Sequence, residues 1–174
     1  ETSLLMVVNY LKGQKVSRED ADSEIINLVN WQMENFEGHY ELSIAKVQEL
    51  ASRYYQMSSQ TFFDDDINLD SIKEQIILNK PVIVPLAGRY IGNPYFRQPG
   101  PIYHMLVIRG YDDKKGEFIT NDVGTKRGEN YRYKYQKIFD AIHDMPNWKE
   151  NKGTLEQNPD MILRGGKTMI VFDN

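Results

Sequence analysis

The stretch Pro99-Gly-Pro-Ile-Tyr-His104-Met-Leu-Val-Ile-Arg-Gly-Tyr-Asp112-Asp-Lys-Lys-Gly116-Glu-Phe-Ile-Thr-Asn-Asp122 organises this chain. It reads as a hairpin. The arm Ile102–Tyr111 is rich in β-branched and aromatic residues, Asp112–Gly116 is a polar turn with a glycine available for positive φ, and Glu117–Asn121 is the return arm. Antiparallel pairing about the turn carries His104 and Asp122 to the same end, since His104 lies eight residues before Asp112 and Asp122 six after Gly116. An imidazole with one ring nitrogen on a carboxylate is the base and orienter of a nucleophilic hydrolase. Such chemistry needs a Ser or Cys from another element.

Working back toward the N-terminus, the loop Ala87–Gly100 interleaves Gly88, Gly92, Pro94, Pro99 and Gly100 with large side chains. Tyr90, Tyr95, Phe96 and Arg97, with Tyr103 just beyond, are the expected walls of a substrate cleft next to His104. Val82–Leu86 is a short, continuously apolar run, as expected of a buried central strand. Asn79-Lys80-Pro81 ends a helix over Ser71–Leu78 that Asp70 would cap, and Gln60–Phe63 is a short strand. Between them, Asp64-Asp65-Asp66 offers clustered carboxylates to a hard cation. The spacing fits no EF-hand loop and no glycine sits at the turn, so the run reads as a solvated loop and no metal is assigned.

Three helices precede this region. The first opens at Ser3, read as its N-cap, with Leu4, Met6, Val7, Val8 and Leu11 apolar around much of the circumference, which predicts a central core helix ending at Gly13. The second spans 17–36 with Ser17 as cap and Ile25, Ile26, Leu28, Val29, Met33 and Phe36 on its inner face. Gly38 breaks it, and His39 beside Tyr40 reads as a loop residue. The third starts at Ser43 and carries Ile44, Val47, Leu50, Ala51 and Tyr54 at helical spacing.

Past Asp122, the polar run 123–130 gives way to Tyr131–Tyr135, where aromatic and charged residues alternate as in a half-buried strand. A helix over Gln136–His143 turns Ile138, Phe139 and Ile142 inward, with His143 favoured by the dipole at its C-terminal end. Residues 144–166 read as irregular, and Thr168–Phe172 closes the chain as a core strand. No repeat or linker divides residues 1–174, which are expected to form one domain. Helices first and antiparallel strands later define an α+β fold.

Composition narrows the function. A net charge of −4 and the lack of any Lys/Arg block give no footprint for nucleic acid. No apolar run reaches the roughly 18 residues of a membrane helix. Eleven tyrosines suit a surface that meets peptide or carbohydrate. The 174 residues contain no cysteine, which removes disulfides, thiolate metal sites and a thiol nucleophile from them. No cofactor is implied, and nothing in the pattern reads out an oligomeric state. His104 and Asp122 as metal ligands lack a third partner.

A thiol at the start of the first helix would be activated by the helix dipole and a neighbouring imidazolium. At these positions the chain resembles a papain-like cysteine peptidase of the bacterial C39-like type, the group related to proteases that trim double-glycine leaders from bacteriocins. Thr2-Ser3-Leu4-Leu5-Met6 is similar to the segment that follows the family's Cys. Tyr103-His-Met-Leu-Val-Ile-Arg-Gly-Tyr-Asp112 is similar to its His segment, and Asn121-Asp122 to its Asn-Asp-Pro-Gly-Thr, with Val123 in place of Pro.

The resemblance implies a papain-like fold with N-terminal helices packed on a C-terminal antiparallel sheet. It implies a Cys-His-Asp triad using His104 and Asp122, a peptide or protein substrate, and an exported or cell-surface bacterial protein. The Cys, and the Gln that supplies the oxyanion hole, would fall ahead of Glu1. Since position 1 is not Met and the chain opens straight into a helix, a segment is expected to have been removed there. These residues alone are then predicted to be inactive, with Ser3 a structural residue. The alternative is a non-catalytic module whose cleft, with Tyr90, Tyr95, Phe96 and Arg97, holds a peptide or glycan.

Overall fold

A computed structural model describes residues 1–36, 41–146 and 154–173. His39, Tyr40 and the break at Gly38 lie outside the described residues, as does part of the segment read as irregular.

Six strands form one antiparallel sheet: β1 (Ser59–Phe63), β2 (Val82–Ala87), β3 (Tyr103–Asp112), β4 (Glu117–Asp122), β5 (Tyr131–Lys134) and β6 (Thr168–Phe172), in the spatial order β1-β6-β2-β3-β4-β5. Among the described residues it is covered by α1 (Thr2–Leu11), α2 (Arg18–Asn35), α3 (Ile44–Tyr55), α4 (Leu69–Ile77) and α5 (Tyr135–Ala141).

Side chains alternate across the sheet, so the central strands feed two cores. Val82, Val84, Leu86, Leu106, Ile108, Met169 and Val171 face Ile72 of α4 and Ile138 of α5. Ile83, Val107, Ile170 and Phe172 face Leu4, Val7 and Val8 of α1 and Val47 and Leu50 of α3. Both faces are therefore covered, which is why β2 and β6 read as unbroken apolar runs. The expectation of N-terminal helices on a C-terminal sheet holds for α1 to α3, with the addition that α4 and α5 cover the opposite face.

Pro85 sits inside central β2 without breaking a ladder. β6 pairs with β2 only at Ile83, so the side of β2 toward which the missing N–H would point has no strand partner at Pro85.

Several expected boundaries shift for local reasons. Glu1, not Ser3, is the N-cap of α1, and Ser3 lies inside the helix. Asn68, not Asp70, caps α4: its side chain accepts from Ser71 N at 2.9 Å, and the Ser71 hydroxyl accepts from Asn68 N at 2.9 Å. α2 buries only Leu28 and Gln32 within its span, while Ile26 and Met33, expected inward, are exposed, because the helix contacts α1 along a narrow stripe. α5 stops at Ala141, so His143 lies beyond it, and its Nδ1 donates to the Gly165 carbonyl at 2.8 Å. Among the described residues no group of three or more His, Cys, Asp or Glu is placed to hold a metal ion, and Asp64 instead accepts from Lys167 N at 2.9 Å. Among the same residues no helix is long and apolar enough to cross a membrane.

Candidate active site

His104 stands near the start of β3 and Asp122 at the end of β4. A regular ladder drawn from the turn would place Asp122 opposite Val107, on the face away from His104. The register shifts instead between Ile108 and Gly110, where Arg109 is the extra residue, and Asp122 comes opposite Leu106. Leu106 and His104 share a face, so this bulge turns the carboxylate toward the imidazole. Asp122 Oδ1 and His104 Nε2 lie in hydrogen-bond contact, 2.6 Å apart. The Asp122 side chain is fully buried and that of His104 is 10% exposed.

The other carboxylate oxygen is occupied as well. Asp122 Oδ2 accepts from Asn93 Nδ2 at 2.8 Å and from the Tyr133 hydroxyl, and that hydroxyl in turn accepts from Asn93 Nδ2 at 2.7 Å. Burial, followed by the hydrogen bond to Asp122, pushes the Tyr133 hydroxyl well above the ordinary tyrosine range, so it stays a donor. Asn93 is held by its own Oδ1, which accepts from Tyr95 N at 2.9 Å. The Phe96 ring packs edge-on to the imidazole with centroids 5.0 Å apart.

Two glycines make room. A Cβ on Gly88 would lie 2.7 Å from the Pro101 carbonyl oxygen and 2.9 Å from His104 Cβ. A Cβ on Gly128 would lie 1.7 Å from the Asp122 carbonyl oxygen, and Gly128 O accepts from Asp122 N at 2.9 Å.

The N-terminal end of α1 meets the same place. Ser3 Oγ donates to the carbonyl of Met105, next to His104, at 3.2 Å, and so ties the first turn of α1 to β3. A cleft of about 570 Å³ lies between them, lined by Glu1 to Leu4 from α1, by Pro101, Tyr103, His104 and Met105 from the β3 side, and by Glu41, Val123 and Glu156. Glu1 accepts from Gln32 Nε2 of α2 at 2.9 Å. No side chain caps α1 at that end of the cleft.

Of the residues expected to line the substrate cleft, Tyr103 alone does so, and its hydroxyl is occupied. It lies 3.0 Å from Leu42 O and donates to Asp144 Oδ1 at 2.8 Å. Burial pushes this hydroxyl well above its ordinary range. Phe96 is buried against His104 in the core rather than facing the cleft. Tyr90 donates to Asp160, Tyr95 accepts from Arg127 and stacks beneath its guanidinium, and Arg97 is exposed outside the cleft lining. The loop folds back over the strands because Asn93, Phe96 and Ile91 are drawn into the interior.

Asn93 and Tyr133 were not singled out by the sequence. The only trace is positional: Asn93 lies in the loop before His104, and Tyr133 is an aromatic at an inward position of an alternating strand.

Residues 1–155 match the model of the peptidase C39-like family. The chain belongs to that family. No curated protein matches it. Membership accounts for the α+β architecture and makes this a peptidase-like domain, and His104, Asp122 and the start of α1 all lie within the matched residues. A peptidase of the C39-like family needs a nucleophile next to its imidazole. The Ser3 hydroxyl at this end of α1 is buried and committed to Met105 O.

Proposed function

We propose that this C39-like domain is a cysteine peptidase that hydrolyses an amide bond with His104 and Asp122 as two members of its triad, the thiol being supplied from just ahead of α1. The observation that carries the reading is the 2.6 Å contact between His104 Nε2 and Asp122 Oδ1 beside a cleft whose other wall is the first turn of α1. With Nε2 occupied, Nδ1 is the nitrogen left to exchange a proton with the thiol; among the described residues it makes no hydrogen bond. Asp122 orients the ring and stabilises the imidazolium.

The chemistry follows in two halves. The thiolate attacks the carbonyl carbon, and the oxyanion so formed is stabilised by N–H donors at the helix end. His104 gives its proton to the departing amine, the C–N bond breaks, and a thioester remains. Water then adds to the thioester as His104 takes its proton. The acid is released and the thiol, reprotonated by His104, is restored.

The test uses the polypeptide that includes the residues encoded ahead of Glu1. A Cys there, with peptide hydrolysis that His104→Ala lowers by roughly a thousandfold or more, is the expected result. A different residue in that position, or binding of a peptide or glycan with no cleavage, would make the cleft a binding groove and overturn the proposal.

A further inference from the structure

We infer that Asn93 and Tyr133 act as a paired positioning device which commits His104 to the form carrying its proton on Nε2, leaving Nδ1 as the proton-accepting atom. The inference rests on the peptidase reading for its use but not for its geometry.

Asn93 Nδ2 donates to Asp122 Oδ2 and to the Tyr133 oxygen, and the Tyr133 proton goes to Asp122 Oδ2. Both routes from Asn93, the direct one and the one through Tyr133, therefore end on Asp122 Oδ2. Asn93 is 2% exposed, Tyr133 5% and Asp122 3%, so water does not compete with the arrangement. Reversing it would need Asp122 Oδ2 to donate. Its neighbours there are an amide nitrogen, which cannot accept, and a phenol, whose own proton would then be stranded in the interior. Oδ2 is thus held as an acceptor, and donors there favour the carboxylate form, in which Oδ1 accepts as well and His104 Nε2, 2.6 Å away, is its donor.

The anchoring of this triangle is independent of β3. Asn93 belongs to the loop before β3 and is fixed through Tyr95 N, while Tyr133 lies on β5, two strands away from His104. A carboxylate gripped from two sides cannot swing away when the imidazole changes charge. Without those donors, the buried carboxyl is stabilised in its charged form by His104 alone. The arrangement with a proton on the carboxyl and the ring hydrogen on Nδ1, the wrong atom for deprotonating a thiol, then competes with it.

The experiment is nitrogen NMR of the His104 ring in the neutral state, which distinguishes the two forms without reference to hydrolysis. The unaltered protein is expected to show Nε2–H almost alone. Tyr133→Phe, which removes one oxygen and keeps the ring, should introduce Nδ1–H, and combining it with Asn93→Ala should raise that form to about half or more. Nδ1–H as the main form in the unaltered protein, or Nε2–H undiminished in both variants, would overturn the inference. The unaltered protein decides the first point even where a variant does not fold. An intact Nε2–H signal together with no hydrolysis would leave this inference standing and sink the peptidase proposal alone.

Discussion

Two single residues show how closely the site depends on its surroundings. Gly88 is buried at the end of β2 with no room for a Cβ between the Pro101 carbonyl and His104. Gly88→Ala is expected to cost about 1–3 kcal/mol in denaturant unfolding, as overpacking typically does, and to displace the His104 ring. An unchanged unfolding midpoint would show that the backbone there yields freely. Asp144 reports on the neighbouring network. It accepts from Tyr103 OH, Met145 N and Ile44 N, yet burial is the largest effect on it and raises its carboxyl above the ordinary 3.8. Over the window just above that value the folded protein holds a proton which the unfolded chain has released. This group's contribution to stability therefore falls as pH rises through the window. Relative to the unaltered protein, Asp144→Asn should gain in stability as pH rises above about 4, as read from unfolding curves at each pH. A difference that stays flat or moves the other way contradicts the assignment.

Among the elements, the helix starts separate into local and distant caps. Asn68 caps α4 through its own side chain, whereas Ser43 makes no side-chain cap bond at α3. The N–H of Ile44 is met instead by the Asp144 carboxylate, at 3.1 and 3.2 Å, from a residue 100 positions away. Asn68→Ala should therefore cost about 1 kcal/mol, while Ser43→Ala should stay within about 0.5 kcal/mol, both measured by chemical denaturation. Equal losses would mean that Ser43 does cap its helix. The hairpin carries the same lesson. Its arms, its turn and the nearness of His104 to Asp122 were legible from β-branched runs and a Gly-containing cluster, because those are local signals. The bulge at Arg109 was not legible, since Arg-Gly-Tyr gives no sign of which residue is left unpaired. Simple counting brings the pair to one end of the hairpin, and the bulge brings it to one face.

For the whole molecule, the fold class and the division into helices and antiparallel strands could be read from periodicity, while the two-faced covering of the sheet could not. Continuous apolar strands predict burial without saying which helices provide it, and α4 and α5 are short. Tyr90, Tyr95, Phe96 and Arg97 are absent from the lining of the cleft beside His104 for a similar reason. An aromatic-rich loop next to a histidine has two ways to bury its rings, and this one sends Phe96 and Asn93 inward behind the His–Asp pair rather than into the opening. The cleft lining includes the first turn of α1, His104, Tyr103 and three carboxylate side chains, Glu1, Glu41 and Glu156.

That geometry makes its sharpest demand on a thiol. The deciding measurement is the rate of alkylation by iodoacetamide across pH in the polypeptide extending ahead of Glu1, with and without His104→Ala. One thiol should react at full rate well below the ordinary thiol range of about 8.5, and His104→Ala should return its profile to that range. A thiol whose profile ignores His104→Ala, or no thiol there at all, would contradict the account.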